Sequence, residues 1–116
     1  MRTAMPAHST FKLINADTDS EIKLEYGVLR KSVLVLRSVN HELRQHIIKI
    51  LDESPHLTVT EIYKQLDIEQ SVASQHLAIL RRSGVVITKR EGKFIYYSLN
   101  KPRLKEIADM VSNLVS

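Results

Sequence analysis

The chain contains no cysteine. Disulfides, thiolate nucleophiles and thiolate metal sites are therefore excluded. No apolar run is long enough to cross a bilayer, and no basic start followed by an apolar core reads as a signal peptide. A cytoplasmic location with no membrane partner is the expectation. No glycine-rich phosphate loop is present; Gly92 stands alone. Nor does any serine sit in a nucleophile elbow, so no catalytic set emerges and no enzyme is expected.

What is present is an ordinary globular balance. Of 116 residues, 43% are hydrophobic and 26% charged, enough for one modest core and against wholesale disorder. The net charge of +4 permits a nucleic-acid or anionic-membrane partner without requiring one. Residues 1–19 mix Pro, His, Ser, Thr and Asp with little periodicity and read as a mobile N-terminal arm, with room for a short ordered piece around Phe11 to Ile14. Residues 20–116 read as one domain.

From Ser20 to Ser38 the spacing predicts a helix. Ile22, Tyr26, Leu29, Val33 and Leu36 form one apolar stripe; Leu24, Val28 and Val35 form a second. A helix apolar on two sides needs two partners, one of which could be a second subunit. A second helix follows with Asn40 as its expected N-cap and Leu43, Ile47, Ile50 and Leu51 as its stripe, ending at Glu53-Ser54-Pro55. Thr58-Val59-Thr60-Glu61 fits a capping box that opens a short helix to Leu66. A turn, Asp67-Ile68-Glu69, leads to a helix over Gln70–Ser83 that Gly84 stops. VVITKR and FIYYSL, joined by Glu91-Gly92-Lys93, read as a hairpin. Asn100 precedes a last helix from Pro102 to Val115, with a broad stripe of Leu104, Ile107, Ala108, Val111, Leu114 and Val115. The order is mostly helical, with a helix-turn-helix followed by a β-hairpin wing.

The helix over 70–83 carries an unusual outer face. At helical spacing Ser71, Ser74, Gln75, Ala78 and Arg82 share one side, and Ala73, Leu77 and Leu80 the other. Serine and glutamine can exchange hydrogen bonds with base edges or phosphates in a major groove, and Ala78 permits close approach. Arg81, Arg82 and the wing residues Lys89, Arg90 and Lys93 supply cations for the backbone. Solvation alone would explain such serines. The neighbouring helix-turn-helix, basic hairpin and basic chain favour double-stranded DNA as the partner.

LDIEQSVASQHLAILRRSGVV, followed by TKREGKFIYYSL, resembles the winged helix-turn-helix regulators of the arsenic-repressor (ArsR) type. The likeness runs from about Val39 to Leu99. It implies a homodimer, built mainly from the first and last helices, that sits on an inverted repeat and represses transcription. It also implies that Gln70, Ser71, Ser74 and Gln75 face DNA and that Lys89, Arg90 and Lys93 touch its backbone. The expected dimer contacts are Leu24, Val28, Val35, Ile107, Val111 and Leu114. Against the metal-sensing members the chain departs. Their cysteine pair falls on Thr58 and Thr60, and threonine is not a soft metal ligand. The last helix holds no histidine, so Glu106 and Asp109 read as solvated charges. No cofactor and no metal are expected, and an effector is left unspecified.

His76, at the edge of the apolar face, is expected to pack and hydrogen-bond nearby backbone. Glu42 and His46 have a chelating i, i+4 spacing but lack a third ligand. Tyr96 and Tyr97 read as one packed and one exposed strand residue, and Arg37 and Arg44 as surface arginines. The alternative reading is a winged-helix module that binds proteins and leaves its DNA face unused. Such a module would not need both the Ser71/Ser74/Gln75 face and the basic wing tip.

Overall fold

The computed structural model describes residues 10–15 and 20–116, and the chain divides into two compact units, with the division between Val35 and Leu36. The first unit opens with two antiparallel strands, β1 (Thr10–Asn15) and β2 (Ser20–Glu25), in a register running from Thr10 opposite Glu25 to Asn15 opposite Ser20. Helix α1 (Tyr26–Val39) follows and carries the chain into the second unit.

This corrects the first predicted helix, which starts at Tyr26 and not at Ser20. Glu21, Lys23 and Glu25 alternate with Ile22 and Leu24, a period of two that suits a strand. The same apolar residues also sit three or four positions from those of α1, so a helical stripe could be drawn straight through the strand. Of the expected N-terminal arm, residues 1–9 and 16–19 lie outside the described residues, and Thr10–Asn15 is β1.

The second unit contains α2 (Glu42–Glu53), β3 (Leu57–Thr58), α3 (Val59–Leu66), α4 (Gln70–Arg82), β4 (Val86–Glu91), β5 (Phe94–Leu99) and α5 (Lys101–Val115). Its three strands lie in the order β3-β5-β4, all antiparallel. Strand β3 leaves no trace in the sequence, since two residues are too short to show a period.

The helix caps carry most of the local logic. Thr58 and Glu61 form the expected capping box, with the Thr58 hydroxyl accepting from the Glu61 N–H and the Glu61 carboxylate accepting from the Thr58 N–H at 3.0 Å. The N-cap of α2, however, is His41 and not Asn40. Asn40 is still finishing α1, donating its N–H to Leu36 O and Arg37 O. His41 is extended, and its ring Nδ1 accepts from the Leu43 N–H at 3.1 Å. Asn100 caps α5, accepting from the Arg103 N–H.

Ile47, Leu51, Ile62, Ala73, Leu77, Leu80, Val85 and Val86 are at most 1% exposed and form the core. Helices α2, α3 and α4 thus meet against the root of the β4–β5 hairpin. At roughly 1.5–3 kcal/mol for each large aliphatic side chain fully buried, this cluster is the main fixture of α4.

Candidate nucleic-acid interface

Helix α4 is presented by its buried side. Ala73, Leu77 and Leu80 face the core at 0% exposure, which turns Gln70, Ser71, Ser74, Gln75, Ala78, Arg81 and Arg82 to solvent. The turn before it is tight. Asp67 adopts a left-handed conformation (φ +54°), and the Ile68 N–H reaches back to Tyr63 O at 3.1 Å. After α4, Gly84 takes φ +79°, its N–H bonds Arg81 O, and the Val85 N–H bonds Leu80 O at 2.9 Å. The chain therefore passes from α4 into the wing with no slack. Arg81 and Arg82 fall in the last turn, where the helix dipole favours cations.

The wing closes on a two-residue turn, Gly92-Lys93, since Glu91 pairs with Phe94. Gly92 has φ +62°, which explains a glycine there. Lys89, Arg90 and Lys93 are all exposed. They do not form one cluster. Lys89 and Arg90 are adjacent on β4 and so point to opposite faces of the ribbon. Lys89 Nζ lies 3.8 Å from Glu91, the Arg90 Nε donates to Gly92 O at 3.2 Å, and Lys93 Nζ sits 5.7 Å from the Phe94 ring centre. Cations thus reach both sides and the tip.

Three features of this region are not visible in the sequence. His56, after α2, stacks on Tyr96 with ring centres 4.0 Å apart and planes 7° from parallel, and its Nε2 lies 3.5 Å from Glu91. The wing is thereby held to the loop before β3. Tyr96 and Tyr97 are both half-buried, so the expected division into one packed and one exposed does not hold. Arg44 is also not a surface arginine; it is 9% exposed. Its Nε donates to Ser38 O at 2.6 Å, its Nη2 to Arg37 O at 2.9 Å, and its Nη1 lies 3.0 Å from His76 Nδ1. Contacts across tens of residues leave no periodic trace in a sequence.

His76 consequently bonds a guanidinium, not backbone. Because arginine can only donate, Nδ1 accepts and the ring proton belongs on Nε2. Burial lowers the His76 pKa, and the neighbouring His41 and Arg44 lower it further. The His41 ring centre is 4.8 Å away. Among the described residues no group of three or more His, Asp or Glu side chains could hold a metal, and Glu42 and His46 have no third partner.

The expected subunit contacts are unevenly exposed. Val28, Leu24, Val111 and Leu114 are open, Val35 is half-buried, and Ile107 is only 7% exposed. Ile107 belongs to the core of its own unit, because the first turns of α5 face that core and only the later ones stand free. Leu24 sits on β2, not on a helix.

With this geometry, the sequence matches known proteins closely. Residues 41–88 match the bacterial regulatory proteins of the arsR family. The transcriptional activator HlyU of Vibrio cholerae is 34% identical over 72% of this chain and 77% of its own. The transcriptional repressor PagR of Bacillus anthracis is 34% identical over 78% of this chain and 90% of its own.

The chain belongs to the ArsR family.

The crystal structure of PagR superposes with a TM-score of 0.61 over 75% of this chain and 99% of that one. The chain is therefore an ArsR-family winged helix-turn-helix protein, a DNA-binding transcriptional regulator and not an enzyme. None of its described helices is long and apolar enough to cross a membrane.

Proposed function

We propose that this ArsR-family regulator acts as a homodimeric repressor on an inverted-repeat operator, with residues 20–116 as the DNA-binding and dimerisation domain. Each α4 lies in a major groove. Gln70, Ser71, Ser74 and Gln75 meet base edges and nearby phosphates, and Arg82 reaches the backbone. Lys89, Arg90 and Lys93 hold the flanking backbone from both faces of the wing. Base contacts carry discrimination of about 1–3 kcal/mol each, whereas phosphate contacts carry sequence-independent affinity.

The observation that supports this most is the division of α4 itself: three side chains with no exposure on one face, and small uncharged hydrogen-bonding groups on the other. The dimer rests on Val28 of α1 and on Val111 and Leu114 of α5, apolar residues exposed beyond what a lone surface needs. PagR is named a repressor and HlyU an activator. Repression is favoured because a dimer seated on promoter DNA blocks polymerase from the same stretch. The absence of thiols, with Thr58 and Thr60 at the positions of the metal sensors' cysteines, argues for DNA binding without metal.

Selection of bound fragments from the host genome tests this reading. A single inverted repeat overlapping promoters, bound by two chains, is expected. Recovery of fragments with no shared sequence, at affinities equal to random duplex, contradicts it.

A further inference from the structure

Helix α4 is held to the rest of its unit by more than apolar packing. Two arginines from other helices donate to it, at its middle and at its end. Arg44 of α2 engages His76 Nδ1, and its remaining nitrogens are taken by Arg37 O and Ser38 O in the last turn of α1. Arg103 of α5 donates from Nε to Ser83 O at 3.1 Å. Ser83 is the C-cap of α4, is buried, and returns its own hydroxyl to Leu80 O at 3.0 Å.

Each donor adds a directed bond at the end of a helix. Arg103 reaches a carbonyl at the end of α4, and Arg44 reaches two at the end of α1, of which Arg37 O also accepts from the Asn40 N–H. A guanidinium is planar and fixed in its donor directions, so it sets an angle as well as a distance. Apolar packing by Ala73, Leu77 and Leu80 buries one face of α4, but the hydrophobic effect is non-directional, whereas the arginine bonds fix an angle. A rotation of α4 would displace Ser74 and Gln75 more than the wing cations, which strand pairing to β3 and the His56–Tyr96 stack also hold.

We propose that Arg44 and Arg103 are positioning residues that fix the rotational setting of the recognition helix, tying it to the ends of α1 and α5. They act through His76 and Ser83 and need not touch DNA. Sequence discrimination therefore depends on them, while general affinity for duplex does not. The inference rests on the reading of α4 as the base-contacting helix and adds the side chains that aim it.

Conservative and non-conservative pairs separate aiming from folding. Arg103→Met keeps the aliphatic length and loses the donor; Arg103→Lys keeps a donor. His76→Phe keeps a ring and loses the acceptor; His76→Asn keeps an acceptor near the Nδ1 position. Full-length variants are titrated onto the genome-selected duplex and onto random duplex of equal length, across a salt series, with thermal melts alongside. Arg103→Met and His76→Phe should each bind the selected duplex about tenfold more weakly, equivalent to about 1.4 kcal/mol. Their binding to random duplex and their salt slope should match the unsubstituted chain. Arg103→Lys and His76→Asn should recover most of the lost discrimination.

Equal weakening on both duplexes, or a salt slope reduced by about one, would mean that Arg103 is a phosphate contact and overturn the proposal. Failure of the conservative variants to rescue, at melting temperatures equal to those that lost discrimination, would overturn it as well. If the unsubstituted chain itself fails to discriminate, the reading of α4 fails instead, and that result is seen before any variant is made.

Discussion

Among the described residues, His76 is the group whose titration the fold shifts. Its Nδ1 must accept from Arg44, and burial, His41 and Arg44 all lower its pKa. The folded chain thus favours the neutral ring more than the unfolded chain does. For a lowered histidine the stabilisation is complete above the unfolded value of about 6.5, and it is lost as pH falls through that value toward the lower folded one. Urea midpoints should therefore drop on going from pH 7.5 to pH 5.5, and drop less in His76→Asn, whose amide does not titrate. Equal losses in the two proteins would show that the ring is not the source. In Arg44, three donor atoms of one buried side chain serve two helices, so truncating it removes three hydrogen bonds at once.

At the scale of elements, the junction from recognition helix to wing is set by one backbone conformation. Gly84 has φ +79°, and a Cβ built there would meet Arg103 only at 3.6 Å, an ordinary contact. The cost of Gly84→Ala is therefore conformational, about 1–2 kcal/mol, and should appear as a lower melting temperature with DNA discrimination retained. An unchanged melting temperature would contradict it. Elements were legible where local chemistry decides them. The Thr58–Glu61 box, Pro55, Gly84, the Gly92 turn and the α4 stripe each announce themselves within a few residues. Ser20–Glu25 did not, because Ile22 and Leu24 suit both periods and only pairing with β1 selects the strand. His41 as N-cap was missed since Asn40, the better capping residue, is used to end α1. The residues proposed to face DNA stand out in the sequence because they break the rule for a solvated face. Their supports, Arg44, Arg103 and His56, could not, because each acts across 20 to 40 residues of sequence.

The whole molecule raises the question of assembly. Val28 on α1 is 57% exposed and Leu114 on α5 is 70% exposed, so both are open to a second subunit in the proposed dimer. Val28→Asp should give monomers by sedimentation, with helix content retained and operator affinity lost, because a symmetric operator engages both recognition helices. A dimer of normal affinity would place the interface elsewhere.

The central claim is that α4 reads sequence and the wing holds the backbone, and one comparison tests it most directly. Gln75→Ala and Lys93→Ala would be titrated onto operator and random duplex across a salt series. Both side chains are exposed, and neither is needed for the core. Gln75→Ala is expected to weaken the operator complex by about 1–3 kcal/mol and leave random duplex nearly unaffected. Lys93→Ala is expected to weaken both complexes and flatten the salt slope by about one per subunit. Should Gln75→Ala lower the two affinities equally, or Lys93→Ala change only the specific one, the division of labour between helix and wing is contradicted.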